Sequence, residues 1–111
     1  MLYKLSENKG VQILSIKGRL DTQTVNEFEK KLMDLIREDH DKIAVDIAGL
    51  EYINSSGLRS FLKAAKEAKK LEKTLVLFEP HKQVYEVFEM TGFTQVIKIF
   101  ETRQEALKSI G

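Results

Sequence analysis

The chain has no cysteine among its 111 residues, and it has only one proline. The lack of cysteine excludes disulfides, iron–sulfur clusters, thiolate zinc sites and a thiol nucleophile, and it fits a reducing compartment. The formal net charge is only +1, so the bulk charge favours neither nucleic acid nor a membrane as a partner. No segment approaches the roughly 20 apolar residues of a spanning helix, and the N-terminus lacks the apolar run of a signal peptide. We therefore expect a cytoplasmic protein.

The overall balance of residues is that of an ordinary globular domain. Hydrophobic residues make up 42% of the chain and charged residues 32%. A chain of this length can bury one core, and it shows no repeat, linker or low-complexity tract. We expect a single domain over residues 1–111.

Strand and helix patterns alternate along the chain, which predicts an α/β fold. The opening pair of strands reads as an antiparallel hairpin, and strands joined through helices should be parallel. The expected order is β-β-α-β-α-β-α-β-α, giving a mixed sheet of about five strands with about four helices. The predicted strands are 2–7, 11–17, 43–47 (prolonged by 52–53 after a kink at Gly49), 74–78 and 96–100. The predicted helices are 22–38, 57–70, one beginning near Pro80 and one opened by Thr102.

Three local details follow from turn and capping chemistry. Thr24 and Glu27 have the spacing of a capping box, although Asp21 or Thr22 could cap the first helix instead. Asp46 lies within an apolar strand, so its carboxylate should accept hydrogen bonds from loop N–H groups. Gly92 suits a left-handed helix C-cap, with Phe93 folding back as the apolar contact.

Enzyme chemistry has little support in the sequence. The two histidines, His40 and His81, lie on unrelated loops, so neither a metal site nor a catalytic cluster is indicated. The glycines are scattered, so no phosphate-cradling loop is indicated, and the sequence around Ser55 and Ser56 is not a nucleophile elbow. We expect a protein that is not an enzyme and needs no cofactor or metal.

The segment 51–58 lies between a strand and a helix and carries two adjacent serines. One interpretation is capping, in which Ser55 or Ser56 satisfies a free N–H group at the helix start. The other is phosphorylation of one serine, because a helix N-terminus accommodates phosphate well. A phosphate adds about −1.5 to −2 charges, so it could spare the fold and still alter a surface that docks there.

Several separated motifs together resemble the STAS domain of bacterial anti-sigma factor antagonists. Asn54-Ser55-Ser56-Gly57-Leu58, preceded by Val45-Asp46-Ile47 and Leu50, resembles the family's phosphorylation motif. Gly18-Arg19-Leu20-Asp21 with Thr24 resembles its segment before the first helix. The C-terminal half is similar as well, through Pro80, Val84, Phe88, Thr91-Gly92-Phe93 and Glu105-Ala106-Leu107. The resemblance covers essentially the whole chain.

The resemblance implies a regulatory binding protein. Such proteins bind an anti-sigma factor, often a serine kinase of the ATP-binding histidine-kinase-like class, and so release a sigma factor. Phosphorylation of the serine at the position of Ser55 ends binding, and a phosphatase restores it. Ser56 matches a position that is usually not the acceptor. The expected partner-binding residues are Arg19, Leu20, Asp21, Asn54, Ser55, Ser56, Gly57, Leu58, Arg59 and Lys63.

One residue departs from the family pattern, since Asn54 stands where the family has an aspartate. Asn and Asp have similar turn preferences, so the loop shape can be the same without the charge. If the carboxylate orients the serine or pairs with the kinase, phosphorylation here should be slow or lost. If the carboxylate instead crowds the phosphate, Asn54 should ease accommodation of the phosphoserine. The sequence leaves both alternatives open.

Basic residues recur on one face of the second predicted helix. Residues 57–73 carry six basic and two acidic side chains. Such a face is commonly just solvated, but it could also dock an acidic partner surface that begins beside the serines. Nucleic acid is a poorer fit because no aromatic platform accompanies the charges. The stripe consists of Arg59, Lys63, Lys66 and Lys70.

Two other functions stay open at this point. The same fold could serve as the STAS subunit of a lipid-transport machine, or of a signalling complex unrelated to sigma factors. A small enzyme or ligand sensor would need a deep polar pocket, and the sequence offers no constellation of residues to line one.

Overall fold

Five β-strands and four α-helices follow one another in the predicted order. The computed structural model describes all of residues 1–111. The predicted fold class, a mixed five-stranded sheet with four helices, is confirmed. The strands are β1 (Leu2–Asn8), β2 (Val11–Leu20), β3 (Lys42–Ile53), β4 (Thr74–Phe78) and β5 (Lys98–Phe100). The helices are α1 (Val25–Arg37), α2 (Ser55–Lys70), α3 (Lys82–Met90) and α4 (Arg103–Ile110).

The strands lie in the sheet in the order β1-β2-β3-β4-β5, which is also their order along the chain. β1 runs antiparallel to β2, and β2 to β5 are parallel. The predicted hairpin is therefore confirmed. Its two-residue turn has positive φ at both positions, 49° at Lys9 and 87° at Gly10. That combination matches the right-handed twist of the paired strands.

Strand β3 continues through Gly49 to Ile53, as the sequence predicts, and its pairing with β2 shifts register on the way. A Cβ atom at Gly49 would lie 2.7 Å from the carbonyl oxygen of Ile16, so this close approach requires glycine. Strand β5 is shorter than predicted. A 3-10 turn over Phe93–Gln95 uses the preceding residues, and the N–H of Ile97 bonds to the carbonyl of Phe93 instead of joining the sheet.

The sheet carries a hydrophobic core on each face. Helices α1, α2 and α3 cover one face, where the rings of Phe61 and Phe88 lie 5.7 Å apart by centroid. Helix α4 covers the other face with the fully buried Ala106. The larger core also includes Phe28 and Phe93, at 5.0 and 6.4 Å from Phe61. The smaller core consists of Val11, Ile13, Ala44, Val76, Phe78 and Ala106.

One of the three local predictions is confirmed in full, and a second is confirmed only in part. Gly92 has a φ of 75°, and Phe93 folds back into the core, 5.3 Å from the ring of Phe88. The carboxylate of Asp46 accepts hydrogen bonds, but from the N–H of Ala48 within β3 and from the hydroxyl of Ser15 on β2, both at 3.0 Å, and not from loop N–H groups.

The capping box at Thr24 and Glu27 is wrong. Thr24 is the N-cap residue of α1, but its side chain makes no capping hydrogen bond. Its hydroxyl instead accepts from the N–H of Asp21 and donates to the carbonyl of Arg19, at 3.0 and 2.8 Å. The hydroxyl therefore folds the preceding loop back on itself.

Candidate functional site

Ser55 and Ser56 differ in how free their hydroxyl groups are. Ser55 is the first residue of α2 and is exposed, and its hydroxyl has no hydrogen-bond partner within the chain. Ser56 is half-buried and donates its hydroxyl to Oδ1 of Asn54 at 2.7 Å. Only Ser55 therefore presents an unengaged hydroxyl to solvent.

Asn54 caps helix α2, so the expectation that Ser55 or Ser56 would do so is wrong. The Oδ1 atom of Asn54 accepts from the N–H of Gly57 at 3.1 Å. Asn54 has the extended backbone of an N-cap residue (φ −110°, ψ −173°), whereas Ser55 is already helical. A carboxylate in the same position could accept the same bonds, which explains how the loop forms without the family's aspartate.

The loop between β2 and α1 lies directly beside the serine loop. Strands β2 and β3 are adjacent and parallel, so both loops leave the same edge of the sheet. The N–H of Asn54 donates to the carbonyl of Leu20 at 3.2 Å and joins the two loops. Within the first loop, a side-chain oxygen of Asp21 accepts from the N–H of Gln23 at 3.0 Å. The structure thus brings the two expected segments together.

Arg19, at the end of β2 next to the first loop, has a side chain that is 60% exposed. Its guanidinium lies 4.1 Å from the ring centroid of Tyr52, and its Nε lies 3.9 Å from the carboxylate of Asp21. A cation–π contact of this exposed kind contributes about 0.5–1 kcal/mol. Tyr52 was not among the expected site residues. Tyr52 is paired with Arg19 across β2 and β3, and no sequence signal identifies that register.

Two expected contact residues, Leu20 and Gly57, are buried beneath the loops. A Cβ atom at Gly57 would lie 2.8 Å from Cγ1 of Ile53 and 2.9 Å from Cγ of Leu20. Glycine therefore lets α2 approach the ends of β2 and β3. The side chain of Leu20 is fully buried and supports the surface without facing a partner.

The remaining expected residues lie along the start of α2. Leu58 is half-buried against the larger core, whereas Arg59 and Lys63 are exposed. The Nζ atom of Lys63 lies 3.4 Å from the carboxylate of Glu29 on α1, and Arg59 has no carboxylate within 4 Å. The site is a rim of exposed loops and one helix face. A cleft of about 610 Å³, lined in part by Tyr85 and Phe100, lies at the β5 edge of the sheet.

No helix has both the length and the apolar composition needed to cross a membrane. No group of three or more His, Asp or Glu side chains is close enough to hold a metal ion.

A protein-family model described as the STAS domain matches residues 3–106. The chain belongs to the STAS domain family. BtrV of Bordetella bronchiseptica, which is named as an anti-sigma factor antagonist, is 30% identical over 93% of this chain and 90% of its own length. The resemblance drawn from the sequence motifs is confirmed at the level of the family.

Solved structures agree with this STAS fold. A crystal structure of an anti-sigma factor antagonist from Mycobacterium paratuberculosis superposes with a TM-score of 0.91 at 17% identity, covering 98% of this chain and 92% of that one. The Bacillus cell-fate determinant SpoIIAA, solved in its phosphorylated form, superposes with a TM-score of 0.73 at 20% identity. That match covers 99% of this chain and 100% of the Bacillus chain.

Proposed function

We propose that this STAS domain is an anti-sigma factor antagonist that phosphorylation of Ser55 switches off. It binds an anti-sigma factor and so releases the sigma factor held by it. The relative that is 30% identical over nearly the whole chain is named for that function. The observation that carries the proposal is the exposed, unbonded hydroxyl of Ser55 at the start of α2, beside the loop of Arg19 and Asp21.

The proposed contact surface combines both loops with the first turns of α2. Its exposed or half-buried members surround Ser55, so a phosphate there would lie within the interface. The phosphate brings about −1.5 to −2 charges, and burying it against a partner without matched donors is costly. Phosphorylation should therefore end binding while leaving the core untouched. The proposed members are Arg19, Asp21, Tyr52, Asn54, Ser55, Ser56, Leu58, Arg59 and Lys63.

The hydrogen bonds of Asn54 help to decide what the replacement of the family's aspartate by asparagine does to phosphorylation. The Oδ1 atom bonds to Ser56 and Gly57 and not to the hydroxyl of Ser55. A residue bonded in this way does not orient the phosphate acceptor. The first turn of α2 also contains no acidic residue, so a phosphate on Ser55 meets no carboxylate there. These contacts favour the alternative in which Asn54 eases accommodation of the phosphate.

The test begins with candidate anti-sigma factor kinases from the same genome. Each is incubated with the protein and ATP, and the intact mass is measured together with binding on a biosensor. We expect one kinase of the ATP-binding histidine-kinase-like class to bind and to add a single phosphate. The gain should be absent in Ser55→Ala and present in the matched control Ser56→Ala. A phosphatase should remove the phosphate and restore binding.

The other outcomes separate the alternatives. Binding without phosphate transfer would leave an antagonist that is not switched at Ser55. Neither binding nor transfer by any candidate would reject the proposal and favour a STAS subunit of a lipid-transport or other signalling complex. Phosphate gain that survives in Ser55→Ala but not in Ser56→Ala would identify Ser56 as the acceptor and reject Ser55.

A further inference from the structure

The outward face of α2 carries a continuous row of positive charge, the α2 basic stripe, formed by Arg59, Lys63, Lys66 and Lys70. All four side chains are exposed. At about 100° per residue, the four positions fall within an arc of about 60° and extend over about 16 Å of helix. Buried residues occupy the opposite side of the helix, namely Gly57, Phe61, Ala64 and Ala68.

The nearby acidic side chains are engaged on the side of the stripe that faces α1. Nε of Arg37 donates a hydrogen bond to the carboxylate of Glu67 at 2.8 Å, and this bond, with a smaller contribution from the charges of Arg37 and Lys70, holds the pKa of Glu67 below its usual value. Glu29 contacts Lys63 at 3.4 Å. The stripe therefore retains three cations with no carboxylate within 4 Å: Arg59, Lys66 and Lys70.

The N-terminal and middle parts of the stripe run against what helix stability alone favours. Arg59 and Lys63, like Lys66 and Lys70, are like charges four residues apart, and each such pair destabilises a helix by about 0.2–0.5 kcal/mol. The first turn of α2 has no acidic residue to complement the helix dipole. A purely solvated face would gain stability from alternating signs. Lys70 lies in the last turn, where a cation complements the helix dipole, and its charge also acts on Glu67, so helix stability accounts for that end of the stripe. The positive charges at Arg59, Lys63 and Lys66 are better explained by recognition than by folding.

We infer that the α2 basic stripe docks an acidic protein surface. This inference rests on the proposed function and adds that the partner's contact face is negatively charged. The stripe begins one turn from Ser55, so both would meet the same partner. The apolar side of α2 is buried in the core and cannot enter a bilayer as membrane-surface helices do. The negative charge of a phosphate on Ser55 would partly neutralise the near end of the stripe and so slow association with an acidic partner.

The first test needs no biological partner. A 12-residue polyglutamate peptide is titrated at low salt while backbone NMR signals are followed. We expect the largest shifts along α2 at the stripe, and we expect Lys66→Glu with Lys70→Glu to remove them. The control pair Lys98→Glu with Lys108→Glu changes the net charge equally at exposed sites on β5 and α4. Shifts spread over the whole surface, or unchanged in the stripe variant, would overturn the inference.

The second test uses the anti-sigma factor identified by the binding screen. For Lys66→Glu with Lys70→Glu, we expect an association rate at least tenfold lower at low salt, with the control pair within twofold of wild type. Equal rates for wild type and stripe variant would reject the stripe and leave the proposed function intact. Failure of every anti-sigma factor to bind, with the peptide still mapping to the stripe, would reject the proposed function alone. Stripe-dependent binding to vesicles with 30% anionic lipid, without a peptide response, would reject a protein partner.

Discussion

At the scale of single residues, Asn54 joins β3 to α2 and caps the helix. One side-chain oxygen accepts from the N–H of Gly57 and from the hydroxyl of Ser56. We expect Asn54→Ala to lower the free energy of unfolding by about 1 kcal/mol, because both bonds are lost. Urea denaturation measures the change. Asn54→Asp should stay close to wild type, and Ser55→Ala should change stability by less than about 0.5 kcal/mol.

Tyr3 gives the protein a pH response far from the candidate site. Its hydroxyl is buried without a hydrogen-bond partner, and burial, followed by the charge of Glu27, raises the pKa of Tyr3 to about 12 from 10.0. The folded state thus favours the neutral phenol. This contribution to stability is complete below pH 10 and is lost as the pH rises through 12.

Comparison with Tyr3→Phe isolates that contribution. Between pH 9.5 and 12, wild type should lose more unfolding free energy than Tyr3→Phe, as measured by urea titrations at each pH. Ultraviolet difference titration of the two proteins should show a phenol ionising near pH 12. A midpoint near pH 10 would contradict the expected burial of the hydroxyl.

The position of the candidate site could be predicted from the sequence, but its internal contacts could not. The candidate role of Ser55 could be predicted from its motif and from its position between a strand and a helix. The capping role of Asn54 depends on which residue enters the helix first, and several residues near the junction can cap. The burial of Leu20 depends on the close approach at Gly57, and the contact of Tyr52 with Arg19 depends on strand register. Sequence patterns specify none of these three-dimensional relations.

At the scale of secondary-structure elements, α2 combines a well-packed inner face with an outer face that is not optimised for stability. Lys66→Glu should raise the free energy of unfolding by a few tenths of a kcal/mol, because it replaces a like-charge pair with Lys70 by an attractive one. The same change should slow association with an acidic partner. Thermal unfolding and biosensor kinetics on one preparation test both parts. A stability loss of more than 1 kcal/mol would mean that Lys66 has a structural role.

Most element types were predictable because hydrophobic patterning dominates them. Alternating and β-branched residues indicated β1 and β2, and the spacing of buried side chains indicated α1 and α2. The end regions were less predictable, as β5 illustrates. Its first predicted residue, Val96, is 50% exposed and caps a 3-10 turn, which competes for the same apolar residues. Apolar composition alone does not distinguish these two conformations.

At the scale of the whole molecule, the sheet depends on a cover on each face. Helix α4 is short, but its Ala106 is fully buried against strands that also support the larger core. Ala106→Asp should lower the free energy of unfolding by about 3 kcal/mol or more, because a carboxylate would be buried without a partner. The exposed Ser109→Asp on the same helix is the matched control, with an expected change below about 0.5 kcal/mol.

Cooperativity between the two faces follows if both cores share the same strands. Urea unfolding of Ala106→Asp should then remain a single transition, seen equally by far-ultraviolet circular dichroism and by fluorescence of the tyrosines. Separate transitions for the two probes would mean that α4 unfolds by itself. In that case the larger core, and the site on α2 with it, would be stable independently.

The order of the strands in the sheet also determines the order in which the structure can form while the chain is being synthesised. Each new strand adds beside the one made just before it, so both loops of the site and all of α2 exist once Lys70 has been synthesised. Phe61, however, packs against Phe88 and Phe93, which come later. At about 5–20 residues per second, the last third of the chain takes about 2–8 seconds to make. During that interval α2 lacks the rings of Phe88 and Phe93 that pack against Phe61, so we expect the candidate contact surface to reach its final geometry only after Phe93 has been synthesised.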